Sequence, residues 1–391
     1  MTLFNVPDYL DWPAQFCLLT TVVTWVASIV TSNVSQVDRL WTFLPTIYSA
    51  YFALLPALPR SQPIPFFPYA PKSLGWHALR DYSPRALLML TVITIWMFRL
   101  SYNTYRRGLF SLKDEDYRWV VLRSQLHPAL FQVVNLTFIA ATQNVLLLLL
   151  GLPTYVASVI QPHTPLVASD FALAGIALAI LAIEFTADNQ QFSFHSYKHA
   201  YLAKEKTNLL APVKPYNPAE QWPGARLAWT PDDANRGFVT RGLWRYSRHP
   251  NFACEQSFWW VITLFPLVAP SPPNPPRLSE IPTLKAILVG LMNCDLHKPL
   301  YASLKATFLP SLWYLIPAVS LSILFFSSTK YTEAISLSKY PEAYRAYQRR
   351  VGMFAPSHTL LKALHVKFFT SPVESQNIEK LVWGTPHIKK D

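Results

Sequence analysis

The sequence predicts an all-α polytopic membrane helix bundle of about seven transmembrane helices, with the N-terminus lumenal and the C-terminus cytoplasmic. Three observations predict it. Of 391 residues 51% are apolar and only 14% charged, too little polar surface to cover a soluble globule. Apolar runs long enough to cross a bilayer as helices recur along the chain. Basic residues, giving a net charge of +12, crowd some connections and avoid others. In so apolar a chain the basic excess points to cytoplasmic loops rather than to nucleic acid. Ten glycines against 34 prolines, with no G-x-G-x-x-G and no G-x-x-x-x-G-K-[ST], speak against a glycine-rich phosphate loop.

The predicted spans lie at 16–32, 40–58, 86–103, 129–152, 166–187, 256–269 and 312–328, and the apolar piece 284–292 is too short to span and is expected to be re-entrant or interfacial. The first run follows Asp8 and Asp11 with no lysine or arginine, the wrong pattern for a cleaved signal peptide, so it is expected to stay as a membrane helix. Arg106, Arg107, Lys113, Arg118 and Arg123 follow the third span, nine basic residues lie between Lys198 and Arg248, and ten more lie from Lys330 onward. The loop 153–165 carries none, which turns the hairpin of the fourth and fifth helices away from the cytoplasm and sets the orientation. Arg60, Lys72, Arg80 and Arg85 run against this count, because it makes their stretch lumenal.

The chain divides into a segment with the first membrane helix (1–36), a membrane domain (37–356) and a polar cytoplasmic tail (357–391) whose end, 371–391, is expected to fray. Residues 208–233 read as a long cytoplasmic insertion. Cys17, Cys254 and Cys294 make no C-x-x-C pair, so neither a disulfide framework nor a zinc site is indicated, and no metal is expected.

Three constellations can carry chemistry. Glu184, Asp188, Gln191 and His195 fall at spacings of four, three and four and share a helix face, either facing a polar cavity or marking a helix that leaves the membrane with a solvated stripe. Arg241, Arg245, Tyr246, Arg248 and His249 precede Pro250, which suits the first helical position and puts Asn251 and Glu255 one turn apart inside the helix. Arginines ahead of a helix N-terminus suit a phosphorylated anionic cofactor, though interfacial anchoring also uses arginine. Tyr340, Tyr344 and Tyr347 share a face beside Arg345 and Arg349, as on a helix that lies on the membrane surface or closes a site. In the N-terminal half Asp38-Arg39-Leu-Trp41 enters the second span, Arg99-Leu-Ser-Tyr102-Asn103-Thr-Tyr105 leaves the third, and Glu115-Asp116-Tyr117-Arg118 follows. Asn135, Gln143 and Asn144 inside the fourth span are expected to bond to neighbouring helices.

Together Arg39-Leu-Trp, Arg99-Leu-Ser-Tyr-Asn, Glu115-Asp-Tyr-Arg, Ala187-Asp188-x-Gln190, Gly242-Leu-Trp, Arg248-His249-Pro250-Asn251-Phe252 with Glu255, and Tyr340-Pro-x-x-Tyr344 to Phe354-Ala-Pro356 resemble the steroid 5-alpha-reductase superfamily, and its poorly characterised multi-pass membrane branch most closely, from about Val37 to Pro356. The resemblance implies a seven-helix bundle that binds NADPH from the cytoplasmic side, in the half at about 180–356, and reduces a carbon–carbon double bond in a lipid or sterol-like substrate. It assigns Asp188, Arg245, Tyr246, Arg248, His249, Asn251 and Glu255 to the cofactor. The glutamine-glutamate pair of the steroid reductases proper has no equivalent in this chain, and Tyr102, Asp38 and Tyr105 stand in as candidate catalytic groups. Isoprenylcysteine-type membrane methyltransferases carry a similar Arg-His-Pro segment and bind S-adenosylmethionine. They show two adjacent acids ahead of the tail where this chain has Glu333 alone. A non-enzymatic lipid-binding or transport protein predicts charged groups along several spans. The expected partners are the bilayer and a hydrophobic small molecule, with no nucleic acid. The endoplasmic reticulum is the expected membrane for a eukaryotic chain, with Lys389-Lys390-Asp391 an imperfect dilysine signal.

Overall fold

The computed structural model describes residues 6–75, 81–205, 214–275 and 282–384, and among these the regular structure is helical, with no strand. The helices are α1 (Asp8–Thr31), α2 (Gln36–Leu40), α3 (Leu44–Ala53), α4 (Pro84–Arg106), α5 (Tyr117–Gln125), α6 (Pro128–Ile160), α7 (Ala168–Glu205), α8 (Pro231–Arg236), α9 (Pro250–Leu267), α10 (Leu284–Met292), α11 (His297–Lys339), α12 (Pro341–Arg350), α13 (Pro356–Phe369) and α14 (Pro372–Trp383). Five segments are long and apolar enough to cross a membrane: α1, α4, α6, Ala168–Lys204 of α7, and α11. The protein is thus an all-α chain built for embedding in lipid.

Two of the seven predicted spans take another form. The run 40–58 is broken by a turn at 41–43 and again after Ala53, where Pro56 opens a tight turn, leaving the 10-residue α3 at about 15 Å, half a hydrocarbon core. The run 256–269 lies in the 18-residue α9 as far as Leu267, and that helix is not among the five. The run 312–328 lies within the 43-residue α11. The tail is not frayed as expected: residues 372–383 form α14, capped by the Ser371 hydroxyl accepting from Glu374 N–H, while 385–391, with Lys389 and Lys390, lie outside the described residues.

The chain forms two compact units, residues Met1–Leu178 with Trp259–Ser322, and Ala179–Phe258 with Ile323–Asp391. In the first, α1 begins with Asp8 and Asp11 at the positive end of the helix dipole and closes on Ser32 at φ +52°, whose N–H returns to the last-turn carbonyls. An aromatic core of Trp12, Phe16, Tyr48, Tyr51, Phe52 and Tyr155 joins α1, α3 and α6. Gly151 is required there, since a Cβ would stand 2.5 Å from that of Tyr48. The polar residues of α6 do bond to neighbours: Asn135 donates to Ser28 at 2.8 Å, Asn144 to Thr24 at 3.2 Å, and Gln143 accepts from the Trp41 indole at 2.7 Å. Arg85, counted as a loop charge from sequence, is 1% exposed and grips Asp170 with two bonds of 2.7 and 3.1 Å. It is a core ion pair, which removes it from the charges that conflicted with the loop count.

Candidate functional site

Within the second unit, α7 carries a buried polar stripe of Glu184, Asp188, Asn189, Gln190 and Ser193. The loop that delivers the arginines to α9 is docked onto this stripe. Gly242 takes φ +64°, and a Cβ on it would meet the Gln190 carboxamide at 2.4 Å, so only glycine lets the loop pass. Gln190 then accepts from Leu243 N–H at 2.8 Å and donates to the Gly224 carbonyl at 3.0 Å, and the Trp244 indole donates to the Ala187 carbonyl at 3.2 Å. Upstream, α8 is closed by a capping box between Thr230 and Asp233, and Asp233 also pairs with Arg236 at 2.9 Å and Arg241 at 2.7 Å. Burial alone would raise the Asp233 carboxyl, but the bonds from Arg241 and Thr230 and the charges of Arg241 and Arg236 hold it below the usual range.

The centre of this unit is Glu333, 4% exposed near the end of α11. Among the described residues its carboxylate accepts from four donors: Arg248 Nε at 2.7 Å and Nη2 at 3.0 Å, His249 Nε2 at 2.9 Å, and Gln348 Nε2 at 2.9 Å. Because a carboxylate only accepts, the His249 proton sits on Nε2. The third edge of Arg248 meets the carbonyls of Val351 and Gln348. Around it the backbone is stitched: Arg248 N–H to Gly352 O at 2.9 Å, His249 N–H to Met353 O at 3.1 Å, Ser247 Oγ to Met353 O at 3.0 Å, and the Tyr347 hydroxyl to Trp244 O at 2.5 Å. Burial pushes the His249 imidazole below its usual range against the opposing pull of Glu333. Arg248 and His249 are 5% and 8% exposed, held on Glu333 and on backbone carbonyls.

At the second position of α9, Asn251 donates to Asp188 Oδ1 at 3.1 Å and accepts from Phe252 N–H at 3.0 Å. Glu255 follows at 6% exposed. Pro250 begins the helix as its sequence position predicts. Asp188 and Asn251 are therefore brought together directly, and Arg248 with His249 through Glu333. Arg245 and Tyr246 are exposed, Arg245 stacking on the Trp383 ring at 4.9 Å and Tyr246 showing 57% of its surface. Arg350 approaches the same ring at 5.8 Å. Glu333, Gln348 and Trp383 were not singled out as site residues from sequence. Glu333 was legible in principle as the lone acid in the last turns of a long apolar helix. Trp383 sat in a tail that sequence dismissed.

The candidate catalytic groups Tyr102, Tyr105 and Asp38 belong to the first unit. The tyrosines are 50% and 74% exposed, with the Arg106 guanidinium 5.2 Å from the Tyr102 ring. Asp38 accepts the Trp119 indole N–H at 2.8 Å, and burial, partly offset by Arg118, raises its carboxyl above the ordinary range. The Arg39 and Glu115 motifs meet in the same knot. Arg39 donates to the Ser111 and Asp114 carbonyls, and Glu115 bridges Val34 N–H and Arg123 at 2.8 and 2.7 Å.

Residues 24–272 match a family model described as Protein of unknown function (DUF1295). The uncharacterized protein C594.04c of Schizosaccharomyces pombe is 30% identical over 334 residues, covering 85% of this chain and 76% of that one. No solved structure matches. The docked arginine loop and the start of α9 both fall inside the matched stretch, and the chain belongs to the DUF1295 family.

Proposed function

We propose that this protein is a membrane-embedded reductase of the steroid 5-alpha-reductase superfamily that uses NADPH to reduce a carbon–carbon double bond in a lipid or sterol-like substrate. The observation that carries the reading is the buried Asp188–Asn251 pair, with Glu255 one turn on, set in the buried polar stripe at the foot of an arginine-bearing loop. Buried carboxylates and carboxamides side by side offer the donor and acceptor pattern that a nicotinamide amide and a ribose require, so the residues fit that end of the cofactor. For the phosphate end, Arg245 and Tyr246 are the exposed partners, and Arg248 and His249 position the loop that carries them. When bound, the cofactor supplies hydride. The chain's own part is to hold the amide and to supply a proton, for which Tyr102, Tyr105 and Asp38 of the first unit are the proposed donors. In this reading the C-terminus is cytoplasmic and the protein resides in the endoplasmic reticulum.

The test is binding of NADPH against S-adenosylmethionine to the detergent-purified chain. Saturable NADPH binding that weakens on the order of tenfold in Asn251→Ala, the loss of one or two buried hydrogen bonds, is expected. Saturable S-adenosylmethionine binding assigns the site to a methyltransferase instead, and binding of neither overturns the enzyme reading.

A further inference from the structure

The helices beyond the family match form a second feature with its own chemistry. Between α12 and α13 lies an open cleft of about 560 Å³ lined by Arg345, Gln348, Arg349, Leu361, Lys362 and His365. Arg345, Arg349 and Lys362 are fixed cations, the buried Val366 forms the floor, and none of the lining residues is an acid. Arg349 is paired at 2.6 Å with Glu374, both partners 45% exposed, a geometry worth little in water. Arg345 is exposed. Lys362 donates to the Gln348 carbonyl, and its ammonium is pushed below its usual range by burial and by the charge of Arg248, with Glu333 offsetting only part. The cleft is therefore short of negative charge.

The flank of the cleft is apolar. Leu360, Leu364 and Phe368 follow at steps of four on α13 with Leu361 beside them, and they show 61%, 43%, 67% and 62% of their surface. Phe369, stacked on His365, and Val373 of α14 are also exposed, at 78% and 79%. The opposite face is packed, with Thr359 and Val366 buried. An exposed apolar stripe next to a cationic cleft, in a chain with five helices fit to cross a bilayer, is the arrangement of a helix lying in the lipid headgroup region.

We infer that the cleft between α12 and α13 binds the phosphate of an anionic phospholipid, with Arg345 and Lys362 on the phosphate and the Leu360–Leu364–Phe368 stripe against the acyl chains. The phosphodiester oxygens supply the counter-charge that Lys362 and Arg345 lack, and the stripe supplies a reason for the ligand to be a lipid rather than a soluble phosphate. This assignment does not depend on the reductase reading.

The full chain in detergent is mixed with dioctanoyl phosphatidylglycerol or dioctanoyl phosphatidylcholine, and retained lipid is counted by native mass spectrometry with glycerol phosphate as soluble competitor. Phosphatidylglycerol is expected to be retained in preference, and Arg345→Gln with Lys362→Gln to lower its retention on the order of tenfold. Arg345→Gln alone, at an exposed position that leaves the fold intact, gives part of that loss, and Lys380→Gln, an equal charge change away from the cleft, gives none. Leu364→Ser with Phe368→Ser weakens retention as well. Equal retention of the two lipids, or indifference to the Arg345 and Lys362 changes, overturns the proposal. Displacement by equimolar glycerol phosphate with no effect of the Leu364 and Phe368 changes also overturns it, by making the site one for free phosphate.

Discussion

Glu333→Ala puts the central claim about the second unit at risk. The substitution leaves Arg248, 5% exposed, with its carbonyl contacts but no counter-ion, and it strips the acceptor from His249 and Gln348 as well. Breaking a buried ion pair from one side costs about 3–5 kcal/mol, which for a unit of this size corresponds to a fall in melting midpoint of roughly 10 °C. Cys254, half-buried on α9 six residues past Arg248, is a built-in reporter. Its alkylation is followed against temperature in the detergent-purified chain, with the modified cysteine assigned by peptide mass spectrometry. Glu333→Gln, which keeps an acceptor oxygen but no charge, is expected at about half the loss. Arg248→Met with Glu333→Leu, which removes both charges, is expected to recover most of it. A Glu333→Ala midpoint within about 1 °C of the parent would refute the view that this pair locks the arginine loop, since one degree is well under 1 kcal/mol.

Gly242→Ala, at φ +64° and against the Gln190 carboxamide, is expected to cost more than the roughly 1–2 kcal/mol of a left-handed residue alone; Gly242→Ala with Gln190→Ser should restore the difference in the same alkylation assay. Stability should fall on acidification. His249 and Asp233 both have folded pKa values below their unfolded ones, so each contributes fully above its unfolded value and loses that contribution as pH drops through the folded one. The first decline therefore begins below about pH 6.5 and is absent in His249→Gln, which thermal scans across pH will show. Asp38 has the opposite sign: its raised carboxyl favours the protonated form, so Asp38→Asn, which can still accept from Trp119, is expected to leave the neutral-pH midpoint unchanged or higher, and a marked drop would show that the charge itself is needed.

The membrane class was legible because it rests on composition and long apolar runs, which tertiary structure cannot overrule. What sequence missed has physical causes. Hydropathy over 40–58 does not see that prolines 45 and 56 confine the helix to ten residues. The charge count took Arg85 as solvent-facing, and the partner that buries it, Asp170, is 85 residues away. At the site, spacing alone placed Asn251 and Pro250 correctly, since both belong to one helix turn. The role of Arg248 was not readable in the same way, because a guanidinium ahead of a helix looks the same whether it awaits an anion or already holds Glu333. The tail looked polar enough to fray, yet Ile378 and Val382 give α14 an apolar edge that packs on α12. With Leu381 they make a single i, i+3, i+4 turn among polar neighbours, too short a repeat for a periodicity argument to rest on.

The discontinuity of the second unit also has a consequence for biosynthesis. Arg248 leaves the ribosome 85 residues ahead of Glu333, and the loop around it is fastened last by α14, through Arg236 to the Leu381 carbonyl, Thr240 to the Val382 carbonyl and Arg245 on Trp383. During that interval the arginines of the loop lack their partners, so maturation waits on synthesis past residue 383. Ribosome stalling or premature stops between 258 and 333 would leave an inserted but unlocked intermediate, the kind of species that quality control of membrane proteins removes.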